Sequence, residues 1–141
     1  MRHARLAAVF ATVAVALARP AMAQPVDATA FDAQFCSEVR QYVQWTNANI
    51  DAGLANGQPL MMDPVARVDY VALDCAARAV TFRHYVDRPD SEALRDDRLA
   101  AWNAAWCGPG VWREAIGLGW HVADTITFAD GARYDLIAVC G

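Results

Sequence analysis

Lysine is absent from the 141-residue chain, whose 12 basic residues are all arginine. P-loop nucleotide hydrolysis and Schiff-base catalysis are excluded with it, because both need a lysine nitrogen at the reacting centre. Serine is nearly absent too. Ser37 falls inside an expected helix, Ser91 at an expected helix cap, and neither stands in a G-x-S-x-G turn, so a serine-hydrolase nucleophile has no setting. No C-x-x-C pair occurs, which argues against a redox motif, c-type haem attachment and the usual zinc knuckles. The apolar run Leu6 to Ala18 has 13 residues, well short of the roughly 20 that span a bilayer as a helix.

That run has a different reading. Arg2, His3 and Arg5 precede it and Ala21, Met22 and Ala23 follow it, the pattern of a secretory signal peptide cut before Gln24. Residues 1–23 are therefore expected to be removed, leaving 24–141 as a single domain exported to the periplasm or the medium. The mature part keeps nine arginines against 16 acidic residues, a net charge of −7 with histidine neutral. Such acidity speaks against nucleic acid or an anionic membrane surface as partner, and nothing downstream is apolar enough for membrane insertion.

All four cysteines, Cys36, Cys75, Cys107 and Cys140, lie in the mature part. An even count in a small exported domain reads as two disulfides.

Asp27 or Thr29 can cap a helix in which Phe31, Phe35, Val39, Tyr42, Val43, Thr46, Ile50 and Leu54 recur at steps of three and four. The stretch NGQPLMMDP, Asn56 to Pro64, cannot continue that helix and is expected to be a connecting loop. Val68 to Val86 then reads as a β-hairpin turning near Ala76 and Ala77, with one face made of Val71, Leu73, Cys75, Val80, Phe82, His84 and Val86. Pro89, Asp90 and Ser91 introduce a second helix, which Gly108 and Pro109 should stop and whose buried side carries Leu99, Trp102 and Trp106. A short helical turn at Val111 to Ile116 leads to a last hairpin.

In that hairpin the turn length decides which side chains face inward. A three-residue loop, Ala129 to Gly131, sets Ile126 opposite Tyr134 and gives an inner face of Val122, Ile126, Phe128, Tyr134, Leu136 and Ala138. The expected fold is α+β: helix, hairpin, helix, hairpin (αββαββ), with the helices on one face of a four-stranded antiparallel sheet. If each element runs antiparallel to the next, Cys36 meets Cys75 and Cys107 meets Cys140, the choice among the three connectivities that four cysteines allow.

Phe82, Tyr85, Cys107, Gly119, Phe128, Asp130, Gly131, Val139 and Cys140 make the chain from about residue 60 to 141 resemble a set of small exported proteobacterial proteins, mostly of unknown function. In these an apolar hairpin, a helix ending in Cys and a Y-x-Y-D-x-x-G-like hairpin close on a final Cys. Phe128 stands where that pattern has Tyr. The resemblance implies fold and compartment, and carries no activity with it.

Two histidines remain in the mature chain, His84 and His121, and a metal would need them to converge with an acid such as Asp124 or Asp135. A packed strand histidine is the simpler reading, and no catalytic residue, metal ligand or cofactor is assigned. Among the tryptophans, Trp102 and Trp106, four apart, read as core. Trp45 lies roughly 80° off the first helix's apolar stripe and Trp112 sits beside glycines, so these two are the candidates for a binding surface. The expected function is non-catalytic binding of a protein partner in the cell envelope, as an assembly factor, inhibitor or immunity-type protein. The alternative is a small hydrolase working with Asp and His in a groove.

Overall fold

Asp27 starts the first helix: its carboxylate accepts the backbone amides of Thr29 and Ala30, which have no carbonyl of their own to bond. The computed structural model describes residues 27–141, and the expected signal peptide at residues 1–23 lies outside them. From its cap, α1 runs over Ala28–Ala55 and buries Phe35, Val39, Val43, Thr46 and Ile50, the middle of the apolar stripe. Tyr42 and Leu54, on the flanks of that stripe, stay exposed.

The chain then turns back through Asn56–Leu60. Where sequence suggests only a loop, Met61–Asp63 forms a short strand, β1, and the sheet has five strands in place of the expected four. Asp63 fixes the tight turn after it by accepting the amides of Val65 and Ala66, both at 2.9 Å. The strand β2 (Ala66–Asp74) follows and pairs antiparallel with β3 (Ala79–Val86), with a register shift between Val68 and Tyr70. In the turn between them Asp74 accepts the Ala77 amide. Arg78 there takes a positive φ of 52°, and its guanidinium meets Asp32 of α1 at 2.6 Å.

After β3, helix α2 (Glu92–Trp106) is capped by Ser91, whose Oγ accepts the Leu94 amide, and α3 (Val111–Gly117) follows. Strands β4 (His121–Phe128) and β5 (Arg133–Ile137) complete the sheet in the order β1-β2-β3-β4-β5. The sheet is mixed, which corrects the antiparallel expectation: β3 and β4 run parallel, in register from Ala79↔His121 to Val86↔Phe128. The physical reason is the helical crossover. A chain that leaves one strand, crosses back along a helix and re-enters the sheet next door starts from the same end, so the second strand points the same way.

The β4–β5 hairpin has the three-residue loop: Ile126 faces Tyr134, Phe128 bonds Ala132, and Gly131 takes φ 85°. Val122, Asp124, Ile126 and Phe128 therefore point to the same face as Val71, Val80, Phe82, His84 and Val86. That face holds the core, under α1 and α2. The other face carries Arg67, Tyr70, Arg83 and Tyr85, with each Arg lying over a Tyr ring on the neighbouring strand. Two disulfides tie the layers, Cys36–Cys75 from α1 to the β2–β3 turn and Cys107–Cys140 from the end of α2 to the C-terminus, with Cα separations of 5.8 and 5.2 Å.

Candidate functional site

Between α1 and α2 the sheet is not fully covered, and the gap is an apolar groove of about 230 Å³. Tyr42, Trp45 and Thr46, at helical spacing on α1, form one wall; Trp102 and Trp106 on α2 form the other. Leu60, Met61 and Met62 close one end, while Val68, Phe82 and His84 make the floor.

The rim is exposed to an extent unusual for such side chains: Trp45 is 65% accessible, Met61 47% and Met62 41%. Two methionines bring adaptable, polarisable surface to a site framed by rigid aromatics. The walls are held firmly. Trp102 donates its Nε1–H to the Val122 carbonyl at 3.0 Å, and its ring meets Phe82 and Trp106 edge-on at 5.2 and 5.4 Å between centroids. Offset and edge contacts of this kind add about 1 kcal/mol each beyond area burial.

Under the groove lies a buried pair of ionisable groups. His84 Nδ1 is 2.7 Å from Asp124 Oδ1, and both side chains are almost completely buried. The N–H does not lie well on the line to that oxygen, so the contact is a close electrostatic one and not an aligned hydrogen bond. Burial pushes the Asp124 carboxyl above its ordinary pKa, and the contact with His84 opposes the rise. Phe82 stacks against the imidazole, and Trp102 meets it edge-on. Beside the pair, Arg98 on α2 reaches Asp63 on β1 and ties the methionine end of the groove to the helix. Burial works against the Asp63 charge, yet Arg98 and the two backbone amides outweigh it and hold that carboxyl below its usual range.

The residues singled out by sequence fall in different places. Trp45 is on the groove rim. Trp112 is a half-buried wedge, with its ring 4.6 Å from Trp106, 5.2 Å from Phe35 and 6.0 Å from Tyr42. It buttresses the groove wall from behind. His84 converges with Asp124, but His121 and Asp135 point to the opposite face of the sheet, because their positions alternate with the inward Val122 and Leu136. The described residues contain no group of three or more His, Cys, Asp or Glu side chains placed to share a metal ion. Ser91 is occupied as a helix cap, and Ser37 is exposed on α1 away from the groove. Sequence reading missed Met61 and Met62, and it weighed Asp124 beside His84 only as a member of a metal site, assigning no contact between them. The adjacent methionines between two prolines were a visible signal; nothing local signals the contact.

No family model matches the chain, and no curated protein matches it. Among solved structures, the pilotin from the Vibrio vulnificus type 2 secretion system, EpsS, is similar with a TM-score of 0.46 and 14% identity, over 71% of this chain and 89% of that one.

Proposed function

We propose that the mature chain is an exported, non-catalytic binding module of the cell envelope, and that it takes an apolar segment of a partner protein into the groove between α1 and α2. One observation carries the reading: Tyr42, Trp45, Met61 and Met62 gather, accessible, around a single groove with a rigid aromatic wall. An assembly factor, an inhibitor or an immunity-type protein would use such a surface. Solvent-exposed tryptophan and methionine at this density are costly in water and are the residues that dominate protein interfaces. Two disulfides fit an oxidising compartment. No described helix is long and apolar enough to cross a membrane.

The His84–Asp124 pair favours a second reading, a small hydrolase in which His84 activates a water molecule in the groove. The two readings separate in one experiment. A photo-crosslinking side chain placed at Met62 in the exported protein should join it to a discrete envelope protein, and Trp45→Glu should abolish the product. Hydrolysis of chromogenic esters that requires His84, with no Trp45-dependent crosslink, would establish the hydrolase instead.

A further inference from the structure

The groove floor carries a histidine that constrains what an occupant must offer, an inference that rests on the docking reading above. His84 lines the groove while its Nδ1 lies 2.7 Å from the Asp124 carboxylate on the adjacent strand. Two lone pairs at that separation would repel, so the proton sits on Nδ1 and the lone pair on Nε2. The carboxylate behind the ring strengthens Nε2 as an acceptor, as it does for metal-binding histidines. Phe82 and Trp102 hold the imidazole plane.

Apart from the Tyr42 and Thr46 hydroxyls and the Trp106 indole N–H, the rest of the lining is aromatic and apolar, with no acidic, Arg or Lys side chain along it. A flat ring is the group that Tyr42, Trp45, Phe82, Trp102 and Trp106 would pack against best. An ammonium group fits less well, because the nearest carboxylate is screened behind the imidazole. We infer that the groove receives an aromatic side chain carrying a single hydrogen-bond donor, the phenol of tyrosine or the indole of tryptophan in the partner, and that His84 Nε2 accepts that donor. The charged and titratable groups facing this pair are Asp124 on β4, Arg98 on α2 with its partner Asp63 on β1, and Tyr42 on α1.

The test uses two small probes of nearly the same shape, 4-methylphenol and 4-methylanisole, the second with its donor capped by a methyl group. Binding is followed by tryptophan fluorescence, and the His84 ring nitrogens by NMR. The phenol should bind at least about fivefold tighter, the size of one net hydrogen bond, although it has less apolar surface. His84→Phe should equalise the two probes, and in the wild type the phenol, but not the anisole, should move the His84 Nε2 resonance. Equal binding to the wild type, or tighter binding of the anisole, would overturn the donor rule and leave the groove standing. Failure of both probes to bind, or binding indifferent to Trp45→Glu, would overturn the groove reading itself. If His84→Phe does not fold, the wild-type NMR titration decides: a phenol preference that leaves the His84 Nε2 resonance unmoved removes Nε2 from the role.

Discussion

Asn47 belongs to α1 yet completes an edge of the sheet: its Oδ1 accepts the Val71 amide at 2.9 Å and its Nδ2 donates to the Val71 carbonyl at 2.8 Å. β1 pairs with β2 only as far as Arg67, so beyond that point the outer edge of β2 has no strand beside it among the described residues. A helix side chain takes the strand's place. Replacing Asn47 with leucine leaves two partly buried backbone groups without partners, which should cost about 2–3 kcal/mol. Urea unfolding measures it; a loss below about 0.5 kcal/mol would mean that water serves Val71 as well as Asn47 does.

Gly53 presents a conflict between two effects of known size. It lies inside α1, where alanine is favoured over glycine by about 1 kcal/mol. The Gln58 carbonyl folds back onto it, however, so closely that an added Cβ would collide with that backbone oxygen. Gln58 also donates its amide to the Gly53 carbonyl at 2.7 Å. Backbone cannot step aside as a flexible side chain can, so the clash should win. Gly53→Ala is expected to destabilise the protein by about 1–3 kcal/mol and to loosen the turn that delivers Met61 and Met62 to the groove. Thermal unfolding checks the first effect, and crosslinking from Met62 the second.

Much of this architecture is legible in the chain itself. Asp27 and Ser91 announce their helices, the stripe from Phe35 to Ile50 states which side of α1 is buried, and Gly131 sets the register of the last hairpin through its left-handed backbone. What sequence does not carry is which strand lies beside which. Alternation records that Val80 and Val122 face inward; it is silent on whether β3 and β4 run parallel. The expectation that each element reverses the one before it already implies the parallel pair once α2 is counted as an element. β1 escapes notice because three residues next to prolines show no period. The His84–Asp124 contact escapes for another reason: its partners are 40 positions apart and meet only through the β3–β4 register. That Trp112 packs as a half-buried wedge is not legible either, because a seven-residue helix is too short for its period to tell a wedge from an exposed ring.

Cys140 should prove to be a staple of global stability. Its bridge to Cys107 spans 33 residues, for which the chain-entropy estimate is about 3.7 kcal/mol, a large fraction of a small domain's total. Beyond the end of β5 at Ile137 the chain is otherwise held by single bonds: the Ala138 amide to the Val122 carbonyl, the Val139 amide to Asn103 on α2, and Arg113 to the Gly141 carbonyl. Cys140→Ser is expected to lower the melting temperature by 10 °C or more, on the scale of about 4–8 °C per kcal/mol for a domain of this size. It should also leave Cys107 open to thiol labelling. Full resistance of Cys107 to labelling would mean the bridge is replaced by another.

Asp124 gives stability a pH dependence whose sign can be worked out. Burial raises its carboxyl pKa in the folded protein above the ordinary value, so the folded state binds that proton more tightly than the unfolded state does. Its favourable contribution is therefore present at pH values below the ordinary carboxylate range and is lost as pH rises through the folded value. At neutral pH the protein carries the cost of a desolvated charge, only partly offset by His84. Asp124→Asn keeps the size and an oxygen that His84 can contact while removing the titration. The variant should match or exceed the wild type by about 1 kcal/mol near pH 7, in line with other buried charges replaced by neutral groups. The gain should shrink as pH falls through the folded value and vanish below the ordinary carboxylate range, where the carboxyl is protonated in both the folded and the unfolded state. Parallel denaturation curves at neutral pH and below that range read the difference directly. A variant less stable at neutral pH by more than about 1 kcal/mol would show that the His84–Asp124 contact outweighs the desolvation of the carboxylate, and that the pair holds the sheet together as well as shaping the groove floor.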